Sequence, residues 1–301
     1  MYDIIVVGGG PAGLTATIYA IRKRLNVLMV SKDLGGKTNF RLELPWIEDY
    51  QVIRGLEIVS KFRAELEYLD FARHMEPVEG VTQHQDAFAV HTKGGGELLA
   101  KVVIVASGTQ HQRLNVPGEK EFLMRGLCYS AFSYAPLFID KATAVIGDGD
   151  LAVRSAAELA TVAAHVYLVG PSSSVLASSL GQKLKARENV TVMEDHRVTA
   201  ILGQDFAERV AVKGPDGQDM EITADGTFIE MALVPNSEIV AELVDLDSQG
   251  RIKVDSRNRT SVPGIFAAGD VTDTYAEQVL IAAGEGAKAD LSAYEYLLPL
   301  L

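Results

Sequence analysis

Cysteine is nearly absent from the sequence: Cys128 is the single one among 301 residues, so no disulfide can form within the chain. This excludes the small secreted domains that disulfides hold together, and it favours a cytoplasmic location. Basic residues are also few, since 28 lysines and arginines stand against 40 acidic residues and give a net charge of −12. Proteins that track nucleic-acid phosphates carry a basic surface, so we expect no nucleic-acid partner.

Metal-ligand patterns and membrane-spanning runs are missing as well. The six histidines show no metal-ligand spacing and have no partner cysteines, so no metal site is predicted. Residues 4–20 carry no charge, but the glycines and Pro11 in their first half indicate strand, turn and helix rather than a membrane span. No basic segment precedes this apolar run, so we expect neither a secretion signal nor a membrane partner.

The chain begins with a nucleotide-binding pattern. Residues 2–32, YDIIVVGGGPAGLTATIYAIRKRLNVLMVSK, predict a strand, a glycine turn, a helix and a second strand. Gly8, Gly10 and Gly13 have the G-x-G-x-x-G spacing. The first glycine permits the tight turn, the second lets a pyrophosphate approach the backbone, and the third lets the helix pack closely on the strand. The segment therefore predicts a dinucleotide site.

The residue that would bind the ribose in this unit is not obvious. An acidic residue normally ends the second strand and binds the ribose hydroxyls. Here Ser31 and Lys32 follow that strand, and Asp33 comes two positions late. The ribose contact is therefore left unassigned.

A second unit of the same kind follows about 140 residues later. Gly147, Gly149 and Ala152 supply G-x-G-x-x-A after a short apolar strand. A helix is predicted over 151–161 and a further strand over 166–169. Two such units predict two Rossmann-type domains, which is the usual arrangement when two dinucleotides exchange electrons.

Further motifs are spread over almost the whole chain. They are GGGPAGL (8–14), LGGK (34–37), VIVASGT (103–109), VPG (116–118), VIGDGDLAV (145–153), VPGIFAAGDV (262–271) and QVLIAAGEGAKADLSAYEYL (278–297). Together they resemble the low-molecular-weight thioredoxin reductase family, which includes the flavoprotein part of alkyl hydroperoxide reductases. The resemblance implies an FAD-dependent oxidoreductase and a homodimer.

The fold that the resemblance implies is α/β, with two Rossmann-like, three-layer domains, the second inserted in the first. We expect a discontinuous FAD-binding domain over 1–112 and 244–301, and an NAD(P)-binding-like domain over 116–242.

The resemblance also assigns cofactor-binding residues. Asp270, in the AAGD motif, is expected to bind the ribityl chain of FAD; a carboxylate at a strand end can accept hydroxyl hydrogen bonds, and it can equally cap a helix. Gln278 and Val279 are expected near the flavin ring, and Val78 near the adenine. The full predicted FAD set is Gly8, Gly10, Pro11, Ala12, Gly13, Ser31, Gly35, Gly36, Lys37, Asn39, Val78, Ala106, Ser107, Gly108, Gly269, Asp270, Glu277, Gln278 and Val279. The second nucleotide site is expected at Gly147, Gly149, Asp150 and Ala152.

The loop GLCYSAFSYAP (126–136) departs from the family pattern. Where the resembling reductases have Cys-x-x-Cys-Asp, this chain has Ser130, Ser133 and Tyr134. A serine hydroxyl forms no disulfide and accepts no electrons, so dithiol exchange on this loop is chemically impossible and no catalytic residue is assigned. Cys128 lies two residues upstream, and we expect a buried structural thiol rather than a reactive one, because no nearby cation lowers its pKa.

Nucleotide selection departs from the pattern too. After the strand 166–169, relatives that use NADPH have a His-Arg-Arg type of cluster, whereas NADH users have an acid for the ribose. This chain has the uncharged GPSSSVLASS (170–179), and Asp148 adds negative charge beside the pyrophosphate site. NAD(P)H binding is therefore left open. Glu277, where relatives often have an arginine, lies either close to the flavin or on a solvated rim.

Three functions are consistent with these patterns. The preferred one is an FAD-dependent oxidoreductase without a redox-active disulfide. Its electron donor or acceptor would be a small ferredoxin- or thioredoxin-like redox protein, a second flavin or a weakly bound nicotinamide, rather than the NADPH and thioredoxin pair. The second is a Cys-to-Ser variant of a disulfide reductase, including a ferredoxin-linked one. The third is a non-catalytic flavin-binding protein.

Overall fold

The structure is a computed structural model that describes residues 1–48 and 55–301. Its strands, in chain order, are β1 (Tyr2–Val7), β2 (Val27–Val30), β3 (Arg73–His74), β4 (Val78–His84), β5 (Ala87–Thr92), β6 (Glu97–Val105), β7 (Thr109–His111), β8 (Leu127–Cys128), β9 (Ala142–Ile146), β10 (His165–Val169), β11 (Val190–Met193), β12 (Arg197–Gly203), β13 (Ala207–Lys213), β14 (Asp219–Thr223), β15 (Gly226–Ile229), β16 (Leu233–Pro235) and β17 (Ile265–Ala267). Its α-helices are α1 (Pro11–Arg22), α2 (Gly55–Glu67), α3 (Glu119–Phe122), α4 (Ala131–Tyr134), α5 (Asp150–Leu159), α6 (Ser173–Leu176), α7 (Ser179–Lys185) and α8 (Val279–Leu297). None of these helices is long and apolar enough to span a membrane.

The chain forms two compact units. Within the described residues, unit 1 consists of 1–39, 55–110 and 234–301, and unit 2 consists of 40–48 and 111–233. These limits differ from the predicted domains in three stretches: 40–48 and 111–112 were expected in the first domain, and 234–242 was expected in the second. Residues 40–48 join unit 2 because Leu42 and Leu44 are buried in its core, and the half-buried Trp46 donates a hydrogen bond of 3.1 Å to the carbonyl of Leu137.

Unit 1 is built on a sheet with strand order β3-β2-β1-β6-β5-β4, in which β17 also pairs with β6. The strands β2, β1, β6 and β17 run parallel. Because side chains alternate along a strand, Ile4 and Val6 pack with α1 and α8 on one face, while Ile5 and Val7 pack in a second core on the other face. The uninterrupted apolar run of β1 follows from this burial on both faces.

Unit 2 has a five-stranded parallel sheet of order β11-β10-β9-β15-β8 and a separate antiparallel sheet, β12-β13-β14. Val145 and Phe228 belong to the core on one face of the parallel sheet, and Ala144 and Ile146 belong to the core on the other. The predicted α/β class with parallel sheets is therefore confirmed.

A buried ion pair joins α1 to α8 in unit 1. Lys23 Nζ donates to Asp290 Oδ2 and lies 5.4 Å from the ring centroids of both Tyr19 and Tyr294. Asp290 is fully buried, and its Oδ1 has no hydrogen-bond partner among the described residues. Burial raises the pKa of Asp290, and Lys23 opposes this rise. The lysine therefore compensates a carboxylate that water does not reach.

Lys23→Met should lower the free energy of unfolding by about 3–5 kcal/mol, because it leaves a buried carboxylate without its cation. The loss should be smaller at about pH 5 than at about pH 7, since Asp290 takes up a proton as the pH falls below its raised pKa. Urea unfolding measures both effects. Lys288→Met, at an exposed position of α8, is the control. Equal losses in the two variants would contradict the role of the pair.

Candidate flavin and nucleotide sites

Three glycines of the first turn are required by the protein itself, and one of them is Gly9, where a Cβ atom would lie 2.1 Å from the carbonyl oxygen of Asp33. Gly8 has a φ of +114°, and a Cβ atom placed on it would lie 2.2 Å from the carbonyl oxygen of Ala106. A Cβ on Gly13 would lie 1.8 Å from the carbonyl oxygen of Gly8. All three distances are far below van der Waals contact, so only glycine lets β1, α1, the loop after β2 and the end of β6 approach so closely.

Gly10 is different, because no protein contact explains it. Its φ is −74°, which any residue adopts, and a Cβ placed on it would meet no heavy atom within 4 Å. It precedes α1, whose first turn has no side-chain cap and no acidic residue. Free backbone N–H groups and the helix dipole make this end attractive to phosphate. The open space and the uncapped helix fit the pyrophosphate of FAD.

The loop after β2 lies against this turn. The amide of Gly35 donates to the carbonyl of Gly9 at 2.7 Å, and the amide of Gly36 donates to the carboxylate of Asp33 at 2.9 Å. Ser31 donates its hydroxyl to the carbonyl of Asp33 at 2.8 Å. Ser31, Gly35 and Gly36 are thus gathered beside the glycine turn, and Asp33 shapes the loop.

Lys37 is the centre of a charged cluster in unit 1. Its Nζ lies 2.7 Å from Asp270 Oδ2 and 3.6 Å from Glu277 Oε2, and it donates to the hydroxyl of Thr109 at 2.7 Å. Burial raises the pKa of Glu277; Lys37 opposes the rise and the neighbouring Asp270 adds to it. Glu277 therefore lies beside the Lys37–Asp270 pair, with its side chain 31% exposed.

The AAGD turn and the start of α8 lie close to α1. A Cβ on Gly269 would lie 3.1 Å from the Cβ of Ala12, and the amide of Gly269 donates to Glu285 at 2.8 Å. Gln278 is the N-cap residue of α8, but its side chain makes no capping hydrogen bond, and Val279 is the first helical residue. The structure thus brings Ala12, Gly269 and Asp270 into one region.

Three residues of the predicted FAD set also have partners within the protein. Ser107 donates its hydroxyl to the carbonyl of Asn236 at 2.7 Å, and Asn39 accepts a hydrogen bond of 2.9 Å from Arg63. Val78 packs with the core on the sheet face away from α1, so only its backbone remains for a cofactor. Sequence reasoning missed Thr109, Glu285 and Asn236, because each acts through a contact distant in sequence.

The second glycine turn repeats the geometry of the first. A Cβ on Gly147 would lie 2.3 Å from the carbonyl oxygen of Glu230, so the protein requires this glycine. Gly149 has a φ of −112°, and a Cβ placed on it would meet no heavy atom within 4 Å. Ala152 is buried under the turn, while the acidic side chains of Asp148 and Asp150 are exposed. Unit 2 thus keeps the clearance that a pyrophosphate needs but adds two negative charges.

Hydrogen bonds fix the conformation of loop 126–136. The hydroxyl of Ser130 donates to that of Ser133 at 3.0 Å and accepts from the amide of Ser133 at 3.3 Å, so it caps α4. The amide of Ala131 donates to Glu230 at 2.5 Å. Cys128 is 1% exposed, and burial raises the pKa of its thiol, with Glu230 adding to the rise. The loop therefore offers no thiolate.

Metal ligands are not clustered in the part of the chain that the structure describes. No group of three or more histidine, cysteine, aspartate or glutamate side chains in residues 1–48 and 55–301 is arranged to hold a metal ion.

Comparison with known proteins agrees with this arrangement. The family model described as pyridine nucleotide-disulphide oxidoreductase matches residues 2–286. The chain is 33% identical to a component of the alkyl hydroperoxide reductase of Staphylococcus aureus and 35% identical to its counterpart in Pseudomonas putida, over 99% of this chain in each case. It covers only 59% and 58% of those two proteins. The chain thus spans about three fifths of the curated relatives that it matches.

The fold comparison gives the same relationship. The crystal structure of thioredoxin reductase from Streptococcus pyogenes matches with a TM-score of 0.87 and 32% identity, over 99% of this chain and 98% of that one. The resemblance inferred from the motifs and the two-domain Rossmann architecture are confirmed, and FAD is the cofactor that the family implies.

Gly10→Ala should weaken FAD binding at least about tenfold, because its methyl group would occupy the space for the pyrophosphate. The unfolding free energy of the FAD-free protein should change by less than about 1 kcal/mol, since no protein atom lies in the way. Gly13→Ala is the contrasting variant, and it should destabilise the fold itself. Flavin-fluorescence titration and urea unfolding separate the two effects. Normal FAD affinity in Gly10→Ala would show that the turn does not hold the pyrophosphate.

Lys37→Met should also weaken FAD binding, by roughly tenfold at low ionic strength. It removes the cation between Asp270 and Glu277, so the two carboxylates repel each other and the FAD diphosphate. The matched control is Lys32→Met, since Lys32 is exposed and forms no ion pair within the described part of the chain. If both variants bind FAD alike, the cluster does not contribute to the site.

Proposed function

Because the chain belongs to the pyridine nucleotide-disulphide oxidoreductase family, we propose that it is an FAD-dependent oxidoreductase of the thioredoxin-reductase type that works without a redox-active disulfide. The observation that carries this proposal is the Ser130–Ser133 pair, two hydroxyls joined by a hydrogen bond of 3.0 Å where dithiol chemistry requires thiols. Unit 1 is taken as the FAD-binding domain and unit 2 as the nicotinamide-type domain.

The residues of unit 1 divide the work of binding FAD. Gly10 and the N-terminus of α1 receive the pyrophosphate, and Asp270 accepts hydrogen bonds from the ribityl chain. Lys37 offsets the negative charges of Asp270 and Glu277, which would otherwise repel the anionic cofactor. Once bound, FAD supplies a ring that takes two electrons from a donor and gives them to an acceptor.

Loop 126–136 supports the absence of a thiol relay. Cys128 is the only thiol of the chain, and a single buried thiol cannot form the intramolecular disulfide of a dithiol relay. Ser130 instead stabilises α4 as an ordinary helix cap. The electron acceptor is therefore a small molecule or a small redox protein that takes electrons from the flavin directly. A homodimer and a cytoplasmic location belong to the same proposal.

Anaerobic titration of the FAD-loaded protein with NADH, NADPH and a reduced ferredoxin tests the proposal. Loss of the oxidised flavin absorbance with NADH or with the ferredoxin, and only slow loss with NADPH, is the expected result. A flavin that none of these donors bleaches would favour a non-catalytic flavoprotein.

The double variant Ser130→Cys/Ser133→Cys should remain a poor NADPH-dependent reductase of thioredoxin, with a rate no more than about one hundredth of that of an ordinary thioredoxin reductase assayed beside it. The restored thiols cannot supply the missing phosphate-binding cations of residues 170–179, and each lost charge-assisted contact costs about one to two decades of affinity. Coupled thioredoxin reduction is the measurement. Brisk activity would instead mean that the serines interrupt an otherwise intact disulfide reductase.

A further inference from the structure

The parallel sheet of unit 2 supplies an acidic residue that its sequence motif lacks. The residue after β10, where an acid for the ribose is normally found, is Gly170. Val169 is in register with Met193 of β11, and the amide of Gly170 donates to the carbonyl of Met193 at 3.0 Å. The carboxyl ends of the two strands therefore meet, and Glu194, the residue after β11, lies at the edge where the ribose acceptor is expected.

The Glu194 carboxylate is held with one oxygen anchored and the other nearly free. Lys185 Nζ donates to Oε1 at 2.6 Å, whereas Oε2 has a single long contact of 3.4 Å from the hydroxyl of Ser173. The hydrogen bond from Lys185 lowers the pKa of Glu194, so the group is a carboxylate at neutral pH. The serine loop that follows β10 thus touches an acceptor that the next strand provides.

We propose that Glu194 accepts the adenosine ribose hydroxyls of a dinucleotide bound to unit 2, and that this site selects NAD(H) over NADP(H). Lys185 is a positioning residue, since it fixes Oε1 and leaves Oε2 toward the serine loop. This rests on the proposed function only in treating unit 2 as a nucleotide-binding domain, and it makes NADH the electron donor.

Charge at this edge disfavours a 2′-phosphate. A phosphate in the ribose position would lie against the Glu194 carboxylate, and Asp148 adds negative charge at the glycine turn. The nearby cation Lys185 is already paired with Glu194. Arg187 donates a hydrogen bond of 2.7 Å to the carbonyl of Ala160. Ala160 follows the C-terminus of α5, whereas the glycine turn precedes the N-terminus of that helix, so Arg187 is engaged away from the nucleotide site. A ribose with free hydroxyls, in contrast, can donate hydrogen bonds to the carboxylate.

Gly149 points to a dinucleotide independently of Glu194. Its backbone angles and its surroundings would accept a side chain, yet it leaves open space directly before α5. Gly10 has the same properties in the turn that is expected to hold the FAD pyrophosphate. The clearance in unit 2 therefore suits a second pyrophosphate.

Calorimetric titration of the oxidised, FAD-loaded protein with NAD⁺ and with NADP⁺ tests this inference without turnover. The wild type should bind NAD⁺ at least about tenfold more tightly than NADP⁺. Glu194→Gln should bind NAD⁺ about tenfold more weakly than the wild type does, so the difference between the NAD⁺ and NADP⁺ affinities should become smaller. Glu188→Gln removes the same charge at an exposed position before β11, at the opposite end of the strand, and should change neither affinity.

Gly149→Ala locates the binding event. Its methyl group should abolish binding of both nucleotides while the thermal unfolding and the FAD content stay as in the wild type. Equal or tighter binding of NADP⁺, an unchanged NAD⁺ affinity in Glu194→Gln, or no binding of either nucleotide would overturn the inference. Binding of NAD⁺ together with a flavin that NADH does not bleach would overturn NADH as the electron donor and leave the nucleotide site standing.

Discussion

Unit 1 depends on close backbone contacts that leave no room for a Cβ atom. A Cβ atom would lie 1.8 Å from a carbonyl oxygen at Gly13, 2.1 Å at Gly286 and 2.2 Å at Gly8. The contacts at Gly13 and Gly286 hold α1 tightly between the glycine turn and α8, and the contact at Gly8 joins the ends of β1 and β6. A larger residue at Gly13 or Gly286 must displace α1, and the helix N-terminus that faces the expected pyrophosphate would move with it. Packing and cofactor binding therefore share one constraint.

Gly10 and Gly149 are of another kind, because the fold does not require them. Glycine loses more backbone entropy on folding than other residues, and at these two positions no close contact or unusual φ offsets that loss. Space for a ligand is the physical reason that remains. The two turns carry different charge, since Asp148 and Asp150 stand in the second one and no acid stands in the first. On the proposed function, unit 2 has room for a dinucleotide, and the two aspartates disfavour additional negative charge on it.

Local patterns predicted the elements around both turns. The helix expected over 151–161 is α5, Asp150–Leu159, and the strand expected over 166–169 is β10, His165–Val169. The proximity of Glu194 to residue 170 could not be predicted, because it depends on β11 pairing with β10 in one register. The packing of residues 40–48 on unit 2 was missed for a similar reason: apolar residues reveal burial but not the core in which they are buried.

On the proposed function, loop 126–136 takes the place of a disulfide site and is held by hydrogen bonds between serines. The Ser130–Ser133 hydrogen bond and the cap on α4 stabilise the loop. Each such hydrogen bond contributes about 0.5–1.5 kcal/mol to the free energy of unfolding. Neither contact stores an electron, and burial keeps Cys128 protonated. On the proposed function, electrons that reach the flavin leave from the flavin itself. Lys37, Asp270 and Glu277 lie where the ribityl chain is expected. The lysine would stabilise an anionic reduced flavin, whereas the two carboxylates would destabilise it.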